Sequence, residues 1–173
     1  MGYTTDFSGI FAVTPTLKPE HLAYLQKFND TRRMKRDAKL AGERPDPLRT
    51  AAGLPIGEEG KFFVGADGFA GQDRTAEVLN YNSPPAGQPG LWCQWRPTDD
   101  GNGIEWDGGE KFYHYTEWLS YLIDTFLKPW GYTVNGEVQW AGEDSSDRGV
   151  LIVKDNRVGE AGYEVNRKKV RWN

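Results

Sequence analysis

The sequence is poor in the residues from which most catalytic and metal sites are made: 173 residues contain one cysteine and two histidines. A lone Cys93 excludes an intrachain disulfide, and among bulky neighbours it reads as a small buried apolar residue rather than a nucleophile. His21 and His114 are both distant from Cys93 in the chain, which leaves little material for a nucleophile–histidine site or a multi-histidine zinc site. His21 falls in a predicted first helical turn and is expected to be exposed. His114, between Tyr113 and Tyr115, is a candidate acid, base or ligand, with a structural role the simpler reading. No metal and no cofactor are expected.

Long apolar runs are also missing. Nothing approaches the roughly 18 apolar residues of a membrane span, and the N-terminus lacks the basic-then-apolar pattern of a signal peptide, so the sequence predicts a cytoplasmic protein without a membrane partner. Met1-Gly2 fails as a myristoylation signal because Asp6 stands where Ser or Thr is needed. Phosphate loops are absent too. Gly57-Glu58-Glu59-Gly60-Lys61 is followed by Phe62 at the wrong spacing for a nucleotide-binding loop, and Gly65, Gly68 and Gly71 do not form a dinucleotide fingerprint.

What is present in excess is aromatic bulk: seven Trp, eight Tyr and eight Phe, 13% of the chain. Packing accounts for most of it, since aromatic rings bury the largest area per residue. The length, with 38% hydrophobic and 27% charged residues, suits one globular domain spanning 1–173. The net charge of −4 hides an asymmetry. Between Thr31 and Thr50 seven basic residues (Arg32, Arg33, Lys35, Arg36, Lys39, Arg44, Arg49) face three acids (Asp37, Glu43, Asp46), so this segment carries +4 and the remainder −8. Such a segment is either the solvated end of a helix or a surface for a phosphate-rich partner, nucleic acid included.

Asp6 to Val13 alternates, with Phe7, Gly9, Phe11 and Val13 on one face, and predicts a first strand. Lys18-Pro19-Glu20 starts a helix with Leu22, Leu25 and Phe28 as its apolar stripe, expected to reach about Arg36. Ala38 to Glu59 reads as an ordered loop. Lys61–Val64, Leu91–Arg96 and Gly103–Asp107 predict three strands, the last two a hairpin across the turn formers Pro97 to Asn102. Thr116-Glu117 caps a second, largely apolar helix ended by Pro129. A meander follows: Tyr132–Trp140, Gly149–Lys154 and Val158–Val170, with Asp155-Asn156 as a two-residue turn and Asn135-Gly136 as a turn or a bulge. The order implies an α+β two-layer sandwich, an antiparallel or mixed sheet of about six or seven strands with two helices on one face, and an uncovered face open to a partner or ligand.

The opening Gly2-Tyr3-Thr4-Thr5-Asp6-Phe7, the run from Pro84-Pro85-Ala86-Gly87-Gln88-Pro89-Gly90 through Leu91-Trp92-Cys93-Gln94-Trp95, the run Ile104-Glu105-Trp106-Asp107-Gly108-Gly109-Glu110-Lys111-Phe112-Tyr113 and the turn Gly142-Glu143-Asp144 resemble a family of uncharacterised proteins of bacteria and their phages. The resemblance spans nearly the whole chain and brings no activity with it, so it implies context rather than residue roles. Small phage accessory proteins often bind host proteins, nucleic acids or defence nucleotides.

Three constellations carry chemistry. Glu105 and Asp107, two apart on a predicted strand, share a face and are candidate catalytic carboxylates, with solvated pairing to Arg96 as the plainer account. Glu143, Asp144 and Asp147 lie in one turn whose spacing does not fit the calcium loop, and a turn held by side-chain-to-backbone hydrogen bonds is the simpler reading. The loop from Phe69 to Trp95 offers Gln72, Asp73, Tyr81, Asn82 and Gln94 as hydrogen-bonding groups and Trp92 and Trp95 as stacking surfaces, with a cation from the segment after Thr31 for a phosphate. The leading expectation is a non-enzymatic cytoplasmic binding protein of phage or mobile-element origin, recognising a nucleotide-like ligand or a host macromolecule. A hydrolase or transferase on a nucleotide or glycosidic bond, using Glu105 and Asp107, is the enzymatic alternative. A virion or structural protein forming a homo-oligomer, with Trp172 at an interface, is the third.

Overall fold

A computed structural model describes residues 2–66, 74–164, 167–168 and 170–173. In chain order the elements are β1 (Asp6–Ser8), β2 (Phe11–Thr14), α1 (Pro19–Asn29), β3 (Lys35–Arg36), α2 (Ala38–Gly42), α3 (Pro47–Ala51), β4 (Val78–Asn80), β5 (Trp95–Pro97) and β6 (Gly103–Trp106). They continue with α4 (Tyr115–Leu122), β7 (Thr133–Ala141), β8 (Arg148–Lys154), β9 (Arg157–Glu164), β10 (Arg167–Lys168) and β11 (Arg171–Trp172). The chain divides into two compact units, one of Met1–Leu17 with Gln94–Asn173 and one of Lys18–Cys93. The second is inserted in sequence between β2 and β5, and no linker-like composition marks either junction.

The first unit is built on an antiparallel sheet in the order β10-β9-β8-β7-β2-β6-β5, with β1 also on β7 and β11 also on β9. The α+β class and the antiparallel main sheet are as the sequence predicts, whereas α1 belongs to the other unit. β1 and β2 lie along the same edge of β7 in one register, Asp6 opposite Ala141, Ser8 opposite Gln139 and Thr14 opposite Thr133. The alternation read from the sequence holds, with Phe7, Phe11 and Val13 buried. The two strands are separated at Gly9, whose φ of +118° suits glycine and where a Cβ would stand 2.9 Å from the Glu137 carbonyl oxygen. Asn135-Gly136 makes no turn; Gly136 stays within β7, letting the backbone of Ile10 and Phe11 approach closely. Asp155 and Asn156 turn β8 into β9 with positive φ of 47° and 71°, the signature of a two-residue hairpin turn.

α4 runs into a single π-helical turn at Ile123–Leu127. Trp118, Leu119, Leu122, Ile123, Phe126 and Leu127 are all buried, which the near-continuous apolar sequence of this helix predicts. Thr116 is not its cap: the hydroxyl donates to Glu160 Oε2 at 2.6 Å, and the N-cap residue is His114 in the left-handed region. Beneath this end of the sheet Phe7 collects four rings, with centroids 5.0 Å to Tyr115, 5.2 Å to Trp95, 5.5 Å to Trp106 and 5.8 Å to Phe112.

In the second unit α1 starts as predicted, with Pro19 in its first turn, but ends at Asn29 rather than near Arg36. Asn29 Nδ2 donates to the Cys93 carbonyl, Thr31 Oγ1 donates back to Lys27 O, and Arg33 N donates to Leu91 O. The expected loop of 38–59 folds as α2, capped by Asp37 accepting from Leu40 N, and α3, opened by Pro47. Lys61–Val64 is not a strand, although Phe63 and Val64 are fully buried. The Lys61 and Phe63 carbonyls accept from the Arg33 guanidinium instead of from a ladder. Leu122, 2% exposed, supplies the sharpest test of the core: Leu122→Asp places an unpaired carboxylate there and is expected to abolish the cooperative thermal transition, a cost above about 4 kcal/mol. A variant melting like the parent would show that α4 is not the core helix.

Candidate functional site

Four of the seven cations after Thr31, Arg33, Arg36, Arg44 and Arg49, belong to an internal framework rather than to the solvated end of a helix. Arg33, 2% exposed, stacks its guanidinium 4.2 Å from the Phe28 ring centroid and donates to Phe63 O at 2.8 Å, Lys61 O at 2.6 Å and Gln88 Oε1 at 3.3 Å. Arg36 lies over Phe63 at 4.4 Å and pairs with Glu77 at 3.0 Å, and Arg44 pairs with the same carboxylate. Burial first, and then the neighbouring Arg33 charge, lower the Arg36 pKa to about 10, which keeps it cationic at neutral pH. Burial pushes the Glu77 carboxyl up, but hydrogen bonds from Thr75 and Arg44 and the Arg44 charge outweigh it and leave it below the usual carboxylate value. Arg49 holds Asp46 at 2.6 Å while the other Asp46 oxygen accepts from Val64 N and Gly65 N. These cations are satisfied inside the unit.

Arg32 is different. Its guanidinium sits 4.1 Å from the Tyr81 ring centroid, held by hydrogen bonds to Tyr81 O at 3.1 Å and Asn82 Oδ1 at 3.3 Å. A second guanidinium, of Arg74, lies 4.7 Å from the same centroid. Neither has an ion pair among the described residues. Arg74, Asn80, Tyr81 and Asn82, with Val78 and the 64% exposed Leu79, line a hollow of about 280 Å³. The β4 strand presents this edge, and Asn80 Oδ1 accepts from Asn82 N to tighten the turn after it.

The described residues of the expected loop site fall in both units. Gln72 and Asp73, with Phe69, lie outside the described residues. Tyr81 and Asn82 are brought together with Arg32, and Trp92 is half-buried in the same unit. Gln94 and Trp95 belong to the sheet unit. Trp95 is 1% exposed; it packs edge-on to Phe7, Phe11 and Phe112 and donates Nε1–H to Tyr115 O at 2.8 Å, so it has no face for a ligand. Gln94 is spent on structure, its Nε2 donating to Glu110 O and its Oε1 accepting from Trp106 Nε1. Glu105 pairs at 3.1 Å with Arg96, its cross-strand neighbour, and Asp107 Oδ1 accepts from Gly109 N at 2.8 Å.

The acidic turn ties down the N-terminal segment: Glu143 Oε1 accepts from Thr4 N, Asp147 from the Tyr3 hydroxyl, and Asp144 from Ser146. The hydrogen bond to Asp147 raises the Tyr3 pKa, and those from Ser146 lower that of Asp144. Among the described residues no group of three or more His, Cys, Asp or Glu is placed to hold a metal ion. His114 is exposed and serves through its backbone, accepting from Trp118 N. Comparison with protein-family models, curated proteins and solved structures finds no match for the chain. Arg74, which no sequence motif singles out, is the residue that completes the Tyr81 hollow.

Two acid-range consequences follow from these settings. Glu77 is 4% exposed between two arginines, so Glu77→Gln removes the charge that Arg36 and Arg44 share and is expected to cost about 3 kcal/mol in denaturant unfolding. His21 was expected on the surface but is 9% exposed, because α1 turns that side inward. Burial lowers its pKa against the opposing effect of Glu20. A histidine with a folded pKa below its free value stabilises the fold above about pH 6.5 and loses that contribution as pH falls through the folded value. Stability measured from pH 7 down to 5 should therefore decline, and His21→Gln should flatten that limb; an unchanged slope refutes the assignment. Glu77 adds a further loss only below the usual carboxylate range, by the same sign.

Proposed function

We propose that this chain is a non-enzymatic cytoplasmic binding protein, an accessory protein of a phage or mobile element, that takes a nucleotide-like ligand by its phosphate at the Tyr81 hollow. The observation that carries this reading is the pair of guanidiniums over one tyrosine ring, Arg32 at 4.1 Å and Arg74 at 4.7 Å, neither neutralised by a carboxylate among the described residues. Each gains from the ring, but two like charges around one ring also repel, and an anion bound in the hollow beside Arg74 offsets that repulsion. Guanidinium forks match phosphate oxygens in pairs, which an ammonium does not. The Arg32 fork is already oriented by Tyr81 O and Asn82 Oδ1, so little side-chain freedom remains to be lost on binding.

Size decides which part of a ligand enters. A hollow of about 280 Å³ lies just below the roughly 300–1,000 Å³ that encloses a whole small molecule. It suits a phosphate, with the remainder of the ligand outside against exposed Leu79. The hydrolytic alternative gains nothing from the structure, since Glu105 is paired to Arg96 and Asp107 closes its own turn.

Calorimetric titration with AMP, ADP and inorganic phosphate at low and at moderate salt tests this. Binding is expected to weaken with salt and to fall about tenfold or more in Arg74→Ala, as for loss of a charge-assisted hydrogen bond. Absence of binding by all three at millimolar concentration, or affinity indifferent to both Arg74→Ala and Arg32→Ala, rejects the proposal.

A further inference from the structure

A second hollow, of about 480 Å³, lies wholly in the sheet unit across β1, β7 and β8. Strand register dictates its composition. Asp6 pairs with Ala141 and Ala141 with Arg148, forming one row across three strands; Ser8 pairs with Gln139 in the next row. Side chains alternate along a strand, so these five point away from the face on which Phe7, Val138 and Leu151 are buried. All five are exposed. The short Ala141 side chain leaves the space between the acid and the base unfilled.

The Asp6 and Arg148 side chains have no hydrogen bond or ion pair among the described residues. Arg96 and Glu105 show what happens when opposite charges stand on adjacent strands, where they pair directly at 3.1 Å. Asp6 and Arg148 are separated by the whole of β7, two strand spacings or about 10 Å. The base of the hollow is stiff: β7 and β8 pair over six successive positions, and the Trp140 indole lies so close over Gly149 that a Cβ there would come within 2.7 Å of it.

We infer that this hollow is a binding site for a small zwitterion, a free amino acid or dipeptide, with its ammonium on Asp6 and its carboxylate on Arg148. A carboxylate accepts two parallel hydrogen bonds from a guanidinium, and an ammonium is the complementary donor to Asp6. A simple anion or cation would satisfy one end only. Ser8 and Gln139 offer a hydroxyl and an amide to the polar middle of the ligand, and the volume lies within the range of small-molecule sites. This site shares no residue with the Tyr81 hollow, and its fate is independent of the phosphate reading.

The test is a titration of isotope-labelled full-length protein, followed by amide chemical shifts, with the common free amino acids and glycylglycine as probes. At least one probe is expected to shift the amides of Ser8, Gln139, Ala141 and Gly149 saturably at millimolar concentration or below. Asp6→Asn and Arg148→Met, both surface changes that should leave the melting temperature in place, are each expected to weaken that probe about tenfold or more. Ala141→Leu keeps both charges and fills the hollow, and is expected to abolish the response. N-acetylation of the responding probe should cost as much as Asp6→Asn and make the protein insensitive to that substitution. No probe shifting these amides, or equal affinity in parent, Asp6→Asn and Arg148→Met, overturns the inference and leaves a hollow that Arg148 closes by swinging over Ala141 towards Asp6.

Discussion

The register of β7 is the constraint on which the sheet unit depends. One edge of this strand carries β1 and β2 in a single unbroken register and the other carries β8. A slip of one residue on either edge would turn Phe7, Val138 and Leu151 out of the core and bring Asp6, Gln139 and Arg148 into it. The register is therefore secured by burial, on the Phe7 face and again at Val150 and Ala161 on the other, and the exposed row of Asp6, Ala141 and Arg148 comes with it. Gly9 and Gly136 are what let β1 and β2 hold that line, since each lies where the facing backbone leaves no room for a side chain. The same register explains why Trp140 lies over Gly149, with its neighbour on β9, Gly162, equally bare.

In the Lys18–Cys93 unit a different device does the work of a sheet. Buried carbonyls must be satisfied, and here those of Lys61 and Phe63 are satisfied by the Arg33 guanidinium rather than by strand partners. Fixed donors of this kind allow the chain to remain irregular and still be buried, as Phe63 and Val64 are. The aromatic rings share in this arrangement, with Phe28 under Arg33 and Phe63 under Arg36. The high aromatic content of the chain is thus partly a means of burying cations, because a ring face tolerates a guanidinium that an aliphatic surface would not.

Elements governed by local pattern were legible in the sequence. The alternation of the first strand, the hairpin across Pro97 to Asn102, the Asp155-Asn156 turn and the apolar α4 each rest on rules that act within a few residues, and each is present. Elements governed by distant partners were not. Arg33 and Arg36 read like any basic helix terminus until Phe63, Lys61 and Glu77 are seen around them, beyond the end of α1 at Asn29. Trp95 in a Pro- and Gly-rich context looks like a loop anchor, yet strand pairing with Trp106 turns it into the Phe7 cluster. Of the candidate site, Tyr81 and Asn82 form a spatial group with Arg32 and Arg74, which the sequence does not show because the two arginines reach the same ring from segments that no spacing rule connects. The Asp6–Ala141–Arg148 row needs the β1–β7 register, a pairing of residues 135 positions apart in the chain.

Unpaired surface charge is common and by itself says little, since exposed cations are well solvated and lose nothing by standing alone. What separates Arg74 and Arg148 from such residues is their setting. Arg74 shares a ring with a second guanidinium whose position is already held by backbone and side-chain acceptors, so the local field is positive and anchored. Arg148 faces, across an empty alanine, a carboxylate of opposite sign on a sheet that does not yield. In both places the chain holds charge where no described residue pairs with it, although elsewhere the same chain pairs Arg36, Arg44, Arg49 and Arg96 with acids. Stability does not call for either arrangement: two guanidiniums on one ring repel, and an acid and a base held apart forgo their attraction. The difference in sign then separates the two proposals: the described lining of the Tyr81 hollow carries positive charge alone, which would suit a phosphate, and the other hollow carries both signs, which would suit a zwitterion.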